Sequence, residues 1–273
     1  MSAVISGFVF FIGASIGSFL NVCILRWPEG ESVVKPRSRC PGCGNSLAWY
    51  DNIPVVSWMV LRARCRTCAT PISAMYPAVE AATGIIWLLS YAAEGPTFLA
   101  LRLAVFFTIL LGIAVTDFRS YVIPDGFTVT GLFFLLAASV AGLFTDSQFP
   151  FATPLDALFG ACVGAGAIAI IGWLGEVALK KEAMGFGDST LMAMSGAALG
   201  PGRALLTVLL GAGIGAVAFV VVVIPIGWWR ARQKGEQFET PLVPFGVFLA
   251  PAAVVALLWG DALLGWYIGR LTG

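Results

Sequence analysis

Eight apolar runs limit what this chain can fold into. They cover 4–25, 75–93, 98–116, 127–145, 155–177, 188–200, 203–226 and 243–263. Seven of them approach or exceed the roughly 20 residues that carry a helix across the hydrocarbon core of a bilayer, and the run at 188–200 is shorter. Inside hydrocarbon the backbone has no water to bond, so such segments satisfy themselves as helices. The rest of the composition agrees: of 273 residues 59% are hydrophobic and 11% charged, with mean hydropathy +0.90, where a soluble domain carries about a quarter charged residues. The expected fold is an all-α, polytopic membrane helical bundle of about eight spans. The first run lacks the basic start of a signal peptide and ends in Arg26-Trp27-Pro28 with no small-residue cleavage site, so it is read as a span.

Basic residues orient the bundle, because cytoplasmic loops collect them. The segments after the first, third, fifth and seventh runs hold Arg26, Lys35, Arg37, Arg39, Arg62, Arg64, Arg66, Arg119, Lys180, Lys181, Arg230, Arg232 and Lys234. The other side holds only Arg102, Arg203 and Arg270. The first set therefore marks the cytoplasmic face, with both termini outside. One cytoplasmic segment is large, residues 26–74. The chain divides into an amino-terminal region, 1–93, with the first two spans and this loop, and a membrane domain, 94–273. Net charge is +1, which gives no reason to expect nucleic acid as a partner. Membrane lipid is the expected surroundings. No internal repeat stands out, and the glycines of the seventh run (Gly211, Gly213, Gly215) suit close helix packing.

The loop carries Cys40-Pro-Gly-Cys43 and Cys65-Arg-Thr-Cys68, two C-x2-C pairs separated by 21 residues. Each pair turns tightly enough to offer two thiolates to one ion, the spacing of a zinc ribbon. Neighbouring Arg39, Arg64 and Arg66 would favour the thiolates. The competing reading, two disulfides, suits a reducing compartment poorly. Four thiolates fill a tetrahedral shell, so the expected zinc is structural. Cys23 and Cys162, alone within spans, are read as small buried hydrophobes.

The chain has no histidine. That removes the Ser-His-Asp triad, the Cys-His pair and the HExxH zinc site together. Carboxylates in or beside a span are costly and so informative, and four stand out: Glu80, Asp117, Asp125 and Asp188. On the topology above, Asp117 and Asp188 lie at the same cytoplasmic boundary and meet if the third and sixth helices pack together. Two carboxyls sharing a proton are the aspartic-protease arrangement: one is the base that activates water, the other the acid. Gly185 and Gly187, in the MGFGD stretch 184–188, would let a substrate backbone reach Asp188. Taken singly, either aspartate could be a helix cap or a partner of Arg119 or Lys180-Lys181. Asp125, after Pro124, reads as a helix cap with a secondary role. Glu80 either bonds a polar neighbour such as Asn21 or faces a substrate amine.

These residues resemble the type IV prepilin leader peptidases and N-methyltransferases, membrane aspartic proteases of the GxGD type. The likeness covers nearly the whole chain: GSFLNVCILRWP (17–28), RSRCPGCGNSLAWYDNIPVVSW (37–58), LRARCRTC (61–68), PISAMYPAVEAATG (71–84), TDFRSYVIPD (116–125), GFGD (185–188) and VPFGVFLA (243–250). The resemblance implies that Asp117 and Asp188 are catalytic. It implies cleavage of prepilins or pseudopilins of type IV pilus and type II secretion systems, at the cytoplasmic face of the bacterial inner membrane. It also implies methylation of the new amino terminus with S-adenosylmethionine, tied to the amino-terminal half where Glu80 and the zinc loop lie. In one place the chain departs from the family, which commonly has a basic residue before the Tyr-Pro pair; here Ala74-Met75 precede Tyr76-Pro77. Two other classes compete with the enzyme reading. One is a proton-coupled transporter using the same carboxylates, and the other a membrane-anchored module that recruits a partner through the zinc loop.

Overall fold

The computed structural model describes residues 3–145, 148–180, 184–234 and 243–272. Lys181 lies outside them, and the side chain of Lys234 is likewise not described. Among the described residues the regular structure is helical, in two compact units, Met1–Gly112 and Ile113–Gly273. The first holds α1 (Ala3–Arg26), the short α2 (Val56–Val60) and α3 (Met75–Glu94). A further helix, α4 (Phe98–Ser120), begins in the first unit and ends in the second. The second unit continues with α5 (Asp125–Gly142), α6 (Pro154–Leu179), α7 (Phe186–Leu199) and α8 (Pro201–Ala218). A π-helical turn over Phe219–Val223 then joins α8 to α9 (Ile224–Lys234), before α10 (Gly246–Thr272).

Every apolar run of the sequence is helical over most of its length, but among the described residues six helical stretches rather than eight are long and apolar enough to cross a membrane: α1, α4, α5, α6, the continuous α8–α9 stretch and α10. The two that differ do so for separate reasons. Within α3 lie the polar Glu80, Thr83 and Ser90. Fourteen-residue α7 is about 21 Å long at 1.5 Å per residue, and it is sheathed by protein: Leu191, Met192 and Met194–Leu199 are all buried. It is a core helix, lying along α5 and α6. Its end is set locally. Gly200 takes φ +79°, Pro201 opens the next helix, and the Arg203 Nε donates to the Leu199 carbonyl at 2.8 Å.

Lipid tails are as apolar as leucine, so helices in a bilayer are held by close packing rather than by escape from water. In the first unit α1 presents Gly13 and Gly17, four residues apart, to α3. A Cβ on Gly13 would lie 2.7 Å from the Trp87 Cβ, and one on Gly17 would lie 2.8 Å from the Glu80 Cα. In the second unit Gly160 and Gly164 of α6 do the same against α7. A Cβ on either would overlap a carbonyl oxygen, that of Gly196 or Met192 respectively. Of the glycines singled out from the sequence, Gly211 is tight against Leu249 and Gly215 lies near Phe248, whereas Gly213 faces open space. Cys23 is buried as expected; Cys162 is not, and faces outward from α6.

Gly160→Ala therefore has to separate α6 from α7. It should cost about 2–3 kcal/mol, seen as a lower midpoint of thermal unfolding in detergent, while Gly213→Ala should leave the midpoint unchanged.

Candidate active site

Asp117 sits in the last turn of α4 and is 4% exposed. The helix stops just beyond it because Tyr121 turns left-handed (φ +56°), its N–H donating to the Asp117 carbonyl at 2.9 Å. Val122 and Ile123 then lead to Pro124, which occupies the N-cap position of α5 in extended conformation. Asp125 is thus the first residue inside α5, exposed and without a side-chain capping bond. The cap expected of it is not made. Its charge still suits the helix N-terminus.

Asp188 lies in the first turn of α7, half-buried, its N–H donating to the carbonyl of the N-cap residue Gly185 at 3.2 Å. Asp117 and Asp188 are within electrostatic reach of one another. They do not meet by α4 and α7 packing lengthwise, since the long flanks of α7 go to α5 and α6. They meet end to end, the last turn of one helix beside the first turn of the other.

A third element, which the sequence reading quoted without assigning it a role, completes the arrangement. The Asp117 Oδ2 accepts the N–H of Val247 at 3.1 Å and a second backbone bond from Gly246. Both amides belong to the first turn of α10, where N–H groups have no partner within the helix. Gly246 is glycine for a steric reason: a Cβ there would stand 2.8 Å from the Asp117 Oδ2 and 2.8 Å from the Ile123 Cδ1. Ile123 also abuts Gly187, whose added Cβ would lie 2.9 Å from the Ile123 Cβ. Gly187 therefore has a packing reason to be glycine. Gly185 suits the access reading, since it is exposed and a Cβ on it would make only ordinary contacts, with the Asp188 Oδ2 at 3.7 Å and the Gly187 N at 4.0 Å.

Outside this rim, in the first unit, the four cysteines converge. Their Sγ atoms lie within 4.8 Å of one another, and those of Cys40 and Cys68 are 3.7 Å apart. A tetrahedral ion with bonds of about 2.3 Å separates its sulfurs by about 3.8 Å, so the set fits zinc and leaves it no open position. The cysteines form no disulfide. The two knuckles are equivalent in space although no repeat is evident in the sequence. Cys40 N–H donates to Asn45 and Cys65 N–H to Thr70, and the turns close with Gly44 at φ +73° and Ala69 at φ +57°. Local bonds favour the thiolates of Cys65 and Cys68. The Thr70 hydroxyl, 3.1 Å from the Cys68 Sγ, together with the Thr70 N–H pulls the Cys68 thiol down to about 6. Arg66, expected to do this, is instead forked onto Asp51 at 2.6 Å and stacked over Tyr50.

Glu80, buried in α3, accepts the Val55 N–H from the large loop at 2.7 Å and a bond from Ser18. Asn21, its expected partner, bonds the Tyr76 carbonyl instead, at 3.0 Å.

Two family profiles match this chain: the Bacterial Peptidase A24 N-terminal domain over residues 11–93 and the Type IV leader peptidase family over residues 104–220. Among similar curated proteins is a prepilin leader peptidase/N-methyltransferase of Myxococcus xanthus, 41% identical over 85% of this chain and 67% of its own length. Proteins of the same description from Stutzerimonas stutzeri and Pseudomonas aeruginosa are each 33% identical, over 94% of this chain and 91% of their own. No solved structure matches.

The thiolate geometry predicts one zinc per chain in protein purified without chelator. Cys40→Ser should leave a small fraction of that by metal analysis, while Asp117→Asn should keep it whole.

Proposed function

The chain belongs to the type IV leader peptidase family, and we propose that Asp117 and Asp188 are the pair with which it cuts the leader from its prepilin substrates. The protein is a multi-pass membrane enzyme with two activities, cleavage of the prepilin leader and N-methylation. A transporter built on the same carboxylates finds no support among its relatives.

The observation that supports the catalytic assignment is the approach of two acids, from helices 71 residues apart at those positions, in a chain without histidine. We assign one shared proton to the two carboxyls. Asp117 is the member whose negative charge the α10 amides stabilise, which makes it the base and Asp188 the proton donor. Asp117 takes a proton from the attacking water as the hydroxyl oxygen bonds to the scissile carbonyl carbon. Asp188 gives its proton to the carbonyl oxygen. When the gem-diol collapses and the C–N bond breaks, the proton on Asp117 passes to the leaving amine and a hydroxyl proton returns to Asp188. A substrate helix has to unwind at the scissile bond first, because a helical peptide is closed by its own hydrogen bonds. The exposed Gly185 leaves room for that strand.

The remaining assignments follow from charge and chemistry. Although shorter or more polar than the other spans, α3 and α7 run antiparallel to α1 and α6 and return the chain across the bundle. The excess of basic residues on one side therefore supports an aspartate rim at the cytoplasmic face, in a bacterial inner membrane. The substrates are type IV prepilins and the related pseudopilins, which present a hydrophobic stem to the bundle. We assign the four thiolates of Cys40, Cys43, Cys65 and Cys68 to a structural zinc that shapes the loop, in an amino-terminal region of residues 1–93. Residues 94–273 form the peptidase region. S-adenosylmethionine supplies the methyl group of the second activity.

Asp117→Asn and Asp188→Asn in detergent should each abolish the mobility shift of a prepilin while zinc content stays unchanged. Cleavage persisting in either would move the role to Asp125. A Cβ on Gly246 has to displace the Asp117 carboxylate, so Gly246→Ala should lower kcat about a hundredfold with KM little changed.

A further inference from the structure

Resting on the N-methyltransferase reading, we propose that Glu80 and Asn21 form the seat of the amine that is methylated, with Glu80 as the base that frees its lone pair. Four observations converge on the seam between α1 and α3. Ser18 bonds the Glu80 carboxylate, and one turn further along α1 the Asn21 Nδ2 bonds the carbonyl of Tyr76, one turn before Glu80. The two side chains are thus adjacent rungs of one ladder. Asn21 is 2% exposed, and its Oδ1 accepts no hydrogen bond. A buried carbonyl oxygen left in that state is expensive, and only an N–H or O–H donor relieves it. Glu80 has spare capacity as well, since a carboxylate offers about four acceptor sites and its partners are the Val55 N–H and Ser18.

The third observation is the absence of a cation beside Glu80: among the described residues no lysine or arginine pairs with it. The fourth is the loop above. Val55 holds φ +63°, ψ −49° in a γ-turn whose Pro54 carbonyl accepts the Val56 N–H at 2.6 Å. Such a conformation is strained for a β-branched residue. Anchoring that turn needs one acceptor, which a neutral glutamine supplies. It does not require a charge in a dry place, and it leaves the Asn21 oxygen unexplained.

What suits a carboxylate beside an open carbonyl oxygen, both buried, is a primary ammonium. A sulfonium carries no N–H and satisfies neither acceptor, so the pair fits the methyl acceptor and not the sulfonium of the donor. Glu80 takes one proton from the ammonium. The freed lone pair forms the N–C bond as the S–C bond of the donor breaks, leaving a thioether and a methylated ammonium. Glu80 then releases its proton to water.

The test uses full-length protein in detergent, a synthetic peptide corresponding to an already cut pilin amino terminus, and S-adenosylmethionine. Glu80→Gln keeps the size of the side chain and an acceptor for Val55. It should cut prepilin, hold one zinc and bind S-adenosylmethionine in equilibrium dialysis as the wild type does, while methylating the peptide at least about a hundredfold more slowly. Asn21→Ala should raise the KM for that peptide about tenfold, with kcat held. Undiminished methylation by Glu80→Gln overturns the proposal. Loss of S-adenosylmethionine binding also overturns it, by giving the site to the donor. A parallel fall in zinc and cleavage does so too, by reducing Glu80 to a loop anchor; none of these results touches the aspartate pair.

Discussion

Two helices in hydrocarbon gain little by meeting unless their backbones come very close, and in this chain that closeness is supplied by glycine. Gly13 and Gly17 bring α1 against α3, and Gly160 and Gly164 bring α6 against α7. Two of the carboxyls inherit their positions from these contacts. Glu80 stands where Gly17 lets α3 approach, and Asp188 stands at the head of the helix that Gly160 and Gly164 seat. With larger residues at those positions the carboxyls would still exist, but on helices a side chain's width apart, without the neighbours that give them chemistry.

The aspartate rim shows how a membrane enzyme meets the polar needs of a buried charge without spending side chains on it. The start of α10 has amides that its own helix cannot use, and the Asp117 carboxylate is bonded by two of them. Both problems, the orphan donors and the buried acceptor, are solved by one placement. A lysine or arginine in that position would also have balanced the charge. It would have held the carboxylate far more tightly and crowded the space in which a peptide must lie.

Much of this was legible in the sequence because the signals are local and strong. Apolar length announced the helices, the C-x2-C spacing announced the cysteine cluster, and the lack of histidine turned attention to Asp117 and Asp188. What was not legible depends on partners distant along the chain. Nothing near Gly246 says that its missing Cβ makes room for a carboxylate 129 residues earlier. Asp125 was expected to cap a helix because it follows a proline, but the proline itself took the cap position. Arg66 was expected to serve the thiols because it lies between them, and Asp51 proved the nearer claimant. Among the described residues the number of helices long and apolar enough to cross differed because α7 runs only 14 residues and α3 carries Glu80, Thr83 and Ser90.

Ile123 is an ordinary aliphatic residue in a four-residue link, yet it lies against Gly187 on one side and Gly246 on the other. The three segments that carry the rim are therefore not three independent hinges. Drawing one of them aside to admit a substrate would drag this side chain and, with it, the neighbours it wedges, so the rim behaves mechanically as a single block. If the proposed pair does the cutting, an apolar stem reaches it by sideways passage between helices through the lipid-facing wall, while the rim itself stays still.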